Sequence, residues 1–100
     1  MKRKIYISGR ITGDENYRAK FQNAQESLES LGCIVLNPAN LPAGLSRADY
    51  MRINFSMIDS ADMVVLLTDW RESEGAKLEY QYCKYIGKPM KRFCDAQGEI

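Results

Sequence analysis

The sequence predicts a single α/β domain, and three observations carry that prediction. Short apolar runs rich in β-formers recur along the chain; between them apolar residues return at helical spacing; glycine, proline or serine marks most of the switches. A length of 100 residues with 45% hydrophobic residues suits one globular domain and leaves no room for a second.

The elements follow in order. Lys4-Ile5-Tyr6-Ile7-Ser8 reads as a first strand stopped by Gly9. After a loop from Arg10 to Gly13, Tyr17, Phe21, Ala24, Leu28 and Leu31 step by four and three, as one helix face requires, and Gly32 is a suitable C-terminal stop. Cys33-Ile34-Val35-Leu36, ended by Asn37-Pro38, fits a strand buried on both faces, and Ala39 to Leu45 reads as a loop. Ser46-Arg47-Ala48-Asp49 resembles a capping box with Asp in place of Glu, ahead of Met51, Phe55 and Ile58 at helical spacing. Asp62 to Leu67 is the clearest buried strand. Ser73 then caps a third helix carrying Ala76, Cys83 and Ile86, before Gly87-Lys88-Pro89 turns into a short strand near Met90 to Phe93 and a frayed tail from Asp95 to Ile100. Strands alternating with helices argue for parallel β-α-β units. The predicted architecture is a three-layer sandwich of about four to five parallel strands, flavodoxin-like or Rossmann-like.

Composition excludes several classes. A formal charge of +1 gives no field favouring a nucleic acid polymer or an anionic membrane, and Lys2-Arg3-Lys4 reads as a solvated strand entry. No apolar stretch approaches a membrane span, and the first strand begins without a signal-peptide core, so a cytoplasmic location is expected. Cys33, Cys83 and Cys94 lack a C-x-x-C spacing and are expected to be small buried hydrophobes rather than a disulfide framework or zinc site. With no histidine, Ser-His and Cys-His nucleophile pairs are excluded. Any catalysis must run on carboxylates, hydroxyls or tyrosine; no metal or organic cofactor is implied.

Two places could carry chemistry at the carboxyl edge of the sheet, where ligands bind in open α/β folds. Ser8-Gly9-Arg10-Ile11-Thr12-Gly13 offers close backbone approach, two hydroxyls and a guanidinium, which suits a phosphate or sugar hydroxyl. Turn geometry alone would also demand its glycines. It is neither G-x-G-x-x-G nor a P-loop. The second place is the third helix, where Ala76, Glu79 and Cys83 share one face. If that face meets the sheet, a carboxylate is held among small apolar neighbours; if Leu78, Tyr82 and Tyr85 are the buried stripe instead, Glu79 lies near its edge. Asn54 shares a helix face with Met51 and Ile58, so an inward amide is expected, whereas Asp62 falls at the opposite sheet edge as a turn or cap residue. Asp69 and Trp70 end the third strand beside the pocket, and Trp70 could stack on a flat base or simply pack.

Across nearly its whole length the chain resembles the nucleoside 2-deoxyribosyltransferase superfamily, in particular a small domain-of-unknown-function branch. The resemblance rests on Ile5 to Gly9 with Ile11-Thr12-Gly13, Asn37-Pro38, Met51-Arg52 with Ser60-Ala61-Asp62, and Trp70, Ser73, Gly75-Ala76, Glu79 and Gly87-Lys88-Pro89. It implies that Glu79 matches the glutamate that attacks the anomeric carbon of deoxyribose and displaces the base. Such a role fits the chemistry, since cleavage of an N-glycosidic bond passes through an oxocarbenium-like state that a carboxylate stabilises or captures. Ser73 and the first loop are similar to the phosphate-holding serine and loop of 2-deoxynucleoside 5-monophosphate N-glycosidase, which favours a nucleotide over a bare nucleoside.

By this resemblance Ser8, Gly9, Arg10, Ser73 and Gly75 would hold phosphate or sugar, Trp70 or Tyr6 would cover the base, and a homodimer or larger homo-oligomer is expected. One departure stands out. Where active relatives carry a second acid, this chain has Asn54, which would orient sugar or base but is no acid. Either another acid such as Asp69 serves, or the reaction is slow or absent. That leaves a non-catalytic nucleotide-binding or sensing module as the alternative. The first loop departs too, with Arg10 where the branch often has proline and Thr12 where the hydrolase has arginine.

Overall fold

The computed structural model of the chain describes residues 2–96. Four strands, β1 (Lys4–Ser8), β2 (Ile34–Leu36), β3 (Met63–Leu66) and β4 (Met90–Arg92), form one parallel sheet in the order β2-β1-β3-β4. This is the flavodoxin-like order, with its switch point between β1 and β3. Helices α1 (Tyr17–Ser30), α2 (Arg47–Ser60) and α3 (Glu74–Ile86) connect the strands, with short 3-10 turns at Pro38–Asn40 and Trp70–Glu72 and a final turn α4 (Phe93–Ala96).

Strand periodicity divides the core into two layers. Ile5 and Ile7 of β1 pack with Val65, Leu67 and the Phe21, Ala24 and Leu28 face of α1. Tyr6, Val64 and Leu66 point the other way and pack with Ile58 of α2 and Cys83 of α3, where Phe55 and Tyr82 also stack with ring centroids 4.5 Å apart. The predicted three-layer α/β sandwich is therefore the observed one, with four strands.

Helix starts follow the expected capping chemistry. Ser46 accepts a hydrogen bond from Asp49 N at 3.0 Å to open α2, and Ser73 accepts one from Ala76 N at 3.1 Å to open α3. Gly87, at φ +78°, closes α3 in the left-handed conformation that side-chain-bearing residues avoid.

Several local expectations differ. Strand β2 is an edge strand rather than one buried on both faces, and Ile34 is exposed, because β1 covers only one of its sides. Leu31 lies beyond the last turn of α1 as an exposed cap residue, off the buried stripe. Ile86 is exposed at the end of α3, and Cys94 is exposed, unlike buried Cys33 and Cys83. Asp95 and Ala96 belong to α4 rather than to a frayed tail; the remainder of that segment, 97–100, lies outside the described residues.

Candidate active site

The register of α3 decides the site. Ala76, Glu79 and Cys83 are buried against the sheet, while Leu78 is 55% and Tyr85 92% exposed and Tyr82 is half-buried against Phe55, so Leu78, Tyr82 and Tyr85 are not the buried stripe. Glu79, only 4% exposed, consequently lies over the carboxyl end of β1. Alternation along β1 sends Tyr6 and Ser8 to that same face. The Ser8 hydroxyl donates to Glu79 Oε1 at 2.7 Å, the Tyr6 hydroxyl to Oε2 at 3.0 Å, and Asn54 Nδ2, from the buried face of α2, to Oε2 at 3.2 Å. Three secondary-structure elements thus converge on one carboxylate.

Electrostatics at this cluster reflect burial. Burial pushes the Glu79 carboxyl above its ordinary range, and the three donors from Ser8, Tyr6 and Asn54 oppose the shift without cancelling it. Burial, followed by the adjoining Glu79 charge, holds the Tyr6 phenol well above its usual value. The same two causes, in the same order, push the Cys83 thiol up to about 11, which disfavours its thiolate.

Glu79 opens on a cavity of about 540 Å³. Its lining includes Ser73 to Ala76 and Glu79 from the cap and start of α3, Arg47, Tyr50, Met51 and Asn54 of α2, Tyr6, Gly9 and Thr12 from β1 and the loop after it, and Pro38, Ala39 and Leu41 after β2. Such a volume suits a small molecule. Gly9 is required here: a Cβ would fall 2.8 Å from Leu67 Cδ1, so only glycine lets the chain leave β1 against the end of β3. Among the described residues no group of three His, Cys, Asp or Glu side chains could hold a metal ion, and no helix is long and apolar enough to cross a membrane.

A family model described as "Domain of unknown function (DUF4406)" matches residues 3–92. The chain belongs to this family. Among solved structures, the DUF4406 fold is similar to "2-desoxiribosyltransferase from Leishmania mexicana", with a TM-score of 0.72 and 19% identity over 90% of this chain and 63% of that one. It is also similar to a 2-deoxyribosyltransferase from the psychrotolerant bacterium Bacillus psychrosaccharolyticus, with a TM-score of 0.70 and 20% identity over 89% of this chain and 70% of that one. At these identities the likeness is one of fold, and the chain spans less than two thirds of the Leishmania protein. A sequence search of curated proteins found no match.

The structure gathers most, though not all, of the residues singled out in the DUF4406 sequence. Glu79, Asn54, Tyr6, Gly9, Ser73 and Gly75 line the cavity, and Ser8 sits fully buried behind Glu79. Arg10, Asp69 and Trp70 do not line it. The Arg10 guanidinium turns back to Thr12 O at 3.3 Å and to Glu72 at 3.7 Å. Asp69 accepts from Arg10 N at 3.1 Å and pairs with Lys20, whose ammonium also reaches Arg10 O at 2.9 Å and Asp14 at 2.5 Å. This clasp ties the loops after β1 and β3 together and engages both Asp69 carboxylate oxygens outside the cavity lining. Trp70 packs on Tyr80, ring centroids 4.5 Å apart, with Arg71 over its indole.

Sequence reasoning missed Arg47, Tyr50, Leu41 and Tyr17 in the wall, and Glu72 and Glu74 at the same end as Ser73. One signal was present for part of this: Pro38 and Ala39 follow the carboxyl end of β2 and so had to lie on the functional edge.

Proposed function

We propose that this domain cleaves or exchanges the N-glycosidic bond of a deoxynucleoside or its 5′-monophosphate, with Glu79 as nucleophile or electrostatic stabiliser. One observation carries the reading: a buried carboxylate, held by three donors, faces a cavity of nucleoside size at the carboxyl edge of a parallel sheet. The deoxyribosyl group is the one named for both structural neighbours, and the resemblance of the Glu79 segment points the same way.

In the covalent route a Glu79 oxygen bonds to C1′ as the C1′–N bond breaks, its electron pair leaving with the base, which takes a proton from water. Water or a second base then attacks C1′, the ester bond breaks, and its electron pair returns to Glu79 while the attacking group loses a proton. Hydrolysis and transfer differ only in that second nucleophile. Tyr6, Ser8 and Asn54 hold the carboxylate in one orientation, so reaction needs little rearrangement.

The residue set bears on the phosphate as well. Ser73 and the opening of α3 line the cavity, but so do Glu72 and Glu74, while Arg10 is turned away. Of the lining residues, Arg47 is the cation a monophosphate would meet, with Glu72 and Glu74 opposing it.

The test is incubation of purified protein with deoxynucleosides and their 5′-monophosphates, with and without an acceptor base, followed by chromatography of the bases. Released or exchanged base is expected, lost on Glu79→Gln by on the order of a thousandfold or more. Full turnover in that variant would overturn the assignment. Nucleotide binding without any base release would instead establish the sensing module that Asn54, in place of an acid, favours.

A further inference from the structure

A buried amide stands next to Glu79 where the resemblance implied a second acid. Asn54 is 9% exposed, and its Oδ1 is a buried side-chain polar atom without a hydrogen-bond partner, alone in this among the described residues. Its Nδ2 contact is the reverse case: it donates to Glu79 Oε2, the oxygen that also accepts from Tyr6.

The asymmetry is informative. A carboxylate accepts hydrogen bonds and cannot donate them, so the amide must present its NH2 group to Glu79 and leave its carbonyl turned elsewhere. An orphaned buried carbonyl is unfavourable, and an apolar residue of similar volume would avoid it. The N–H contact with Glu79 accounts for one half of the amide, while the carbonyl, in a residue that lines the cavity, has no protein partner among the described residues.

We propose that Asn54 is a positioning residue that acts through Glu79: its N–H group fixes Oε2 and keeps the neighbouring carboxylate charged and ready to attack. Asn54 is thus a working part of the site and not the remnant of a lost proton donor. The proposal rests on the reading of Glu79 as the reacting group.

The consequence for an acid at this place is direct. In Asn54→Asp, a carboxylate oxygen taking the position of Nδ2 would put two carboxylates about 3 Å apart in a buried site, where like charges cannot both ionise and one proton is shared. Among the described residues no cation pairs with Glu79: Tyr6 on β1 and Cys83 on α3, both neutral when protonated and both pushed up by burial, adjoin it, and Arg47 of α2, Glu72 and Glu74 share its cavity without a contact to it.

The experiment uses the full chain and two variants, Asn54→Asp and Asn54→Leu, read in two ways. Carbon NMR of protein labelled at glutamate side-chain carboxyls gives the Glu79 titration directly, with Glu79→Gln to assign the signal, and needs no activity. The midpoint is expected to rise in Asn54→Leu, where a donor is lost, and to rise further in Asn54→Asp. In base-release assays the low-pH limb should move the same way, with Asn54→Asp slower than wild type by roughly tenfold or more at neutral pH. An unmoved Glu79 midpoint in Asn54→Leu overturns the proposal even if the aspartate variant fails to fold. So does faster base release by Asn54→Asp at neutral pH. Absence of base release from wild type, with the midpoints shifting as expected, would overturn the proposed reaction and leave the positioning role standing.

Discussion

The two faces of the sheet are built from one strand and do opposite things. On the α1 side Ile5 and Ile7 meet Phe21, Ala24, Leu28, Val65 and Leu67, all apolar and closed to water. On the α2 and α3 side Tyr6 and Ser8, alternating with those isoleucines, lead into a carboxylate and an amide beside a cavity. Period-two alternation lets one short strand serve as scaffold with one set of residues and as site with the other. The lesson is energetic. The α1 face gathers stability by burying apolar area; the other face buries apolar area too, around Ile58, Val64 and Leu66, but it also desolvates Glu79, which opposes stability.

The strongest way to break this contrast is at Glu79. The glutamine variant should lose on the order of a thousandfold or more in base release, yet unfold no more easily than wild type, because a neutral side chain replaces a desolvated acid. The sign with pH follows from burial. Since the folded chain holds the Glu79 proton more tightly than the unfolded chain, wild-type stability should fall as pH rises from the ordinary carboxylate range through the raised folded value. Denaturant titrations across pH should show that decline in wild type and its absence in Glu79→Gln. A glutamine variant markedly less stable at neutral pH would mean that the carboxylate holds the fold together.

The opposite face should give the opposite result. Leu28→Ala, at a fully buried position of α1, should lower stability by about 2–5 kcal/mol while leaving turnover per folded molecule unchanged. Thermal melts paired with base release measure both. Loss of turnover at temperatures where the variant remains folded would show that the faces are coupled.

How far the sequence revealed this division depends on the element. Strand β1 was readable because its composition and its bounds agree, and parallel α/β order followed from alternation alone. The face of α3 was not readable from periodicity, since Ala76, Glu79, Cys83 and Leu78, Tyr82, Tyr85 are equally regular stripes; only contact with β1 separates them. The direction of the Arg10 side chain was not readable, because adjacency to Gly9 says nothing about it; its guanidinium meets Thr12 O and Glu72 instead. The part of the lining with Arg47 and Tyr50 depends on a long loop: the Tyr50 hydroxyl donates to Pro42 O at 2.7 Å and so fixes the path of Leu41 past the cavity. No local pattern encodes that.

Tyr6 offers a finer cut, because it belongs to both faces of the argument: its ring is core and its hydroxyl is site. Tyr6→Phe keeps the packing and removes one of two donors to Glu79 Oε2. A lost hydrogen bond to a charged group predicts roughly a ten- to hundredfold slower rate. Because that bond lowers the Glu79 pKa, the low-pH limb of the rate profile should also move to higher pH. An unchanged limb would mean that the phenol contributes only its ring.

The smallest effect is expected at the rim, where the contrast between faces reaches solvent. Glu74 lines the cavity beside Ser73, yet its side chain is 91% exposed and bridges to Lys77 at 3.1 Å. Charges in such a setting are screened, so Glu74→Gln should leave turnover of a deoxynucleoside unchanged and lower KM for its 5′-monophosphate by about two- to threefold at low salt. Two causes act together: one repelling carboxylate disappears, and Lys77 is freed to approach the phosphate. The gain should fade as ionic strength rises, which separates it from a change in cavity shape. If KM falls equally for nucleoside and monophosphate, the phosphate does not sit at the α3 end, and Ser73 serves as a helix cap rather than as a ligand.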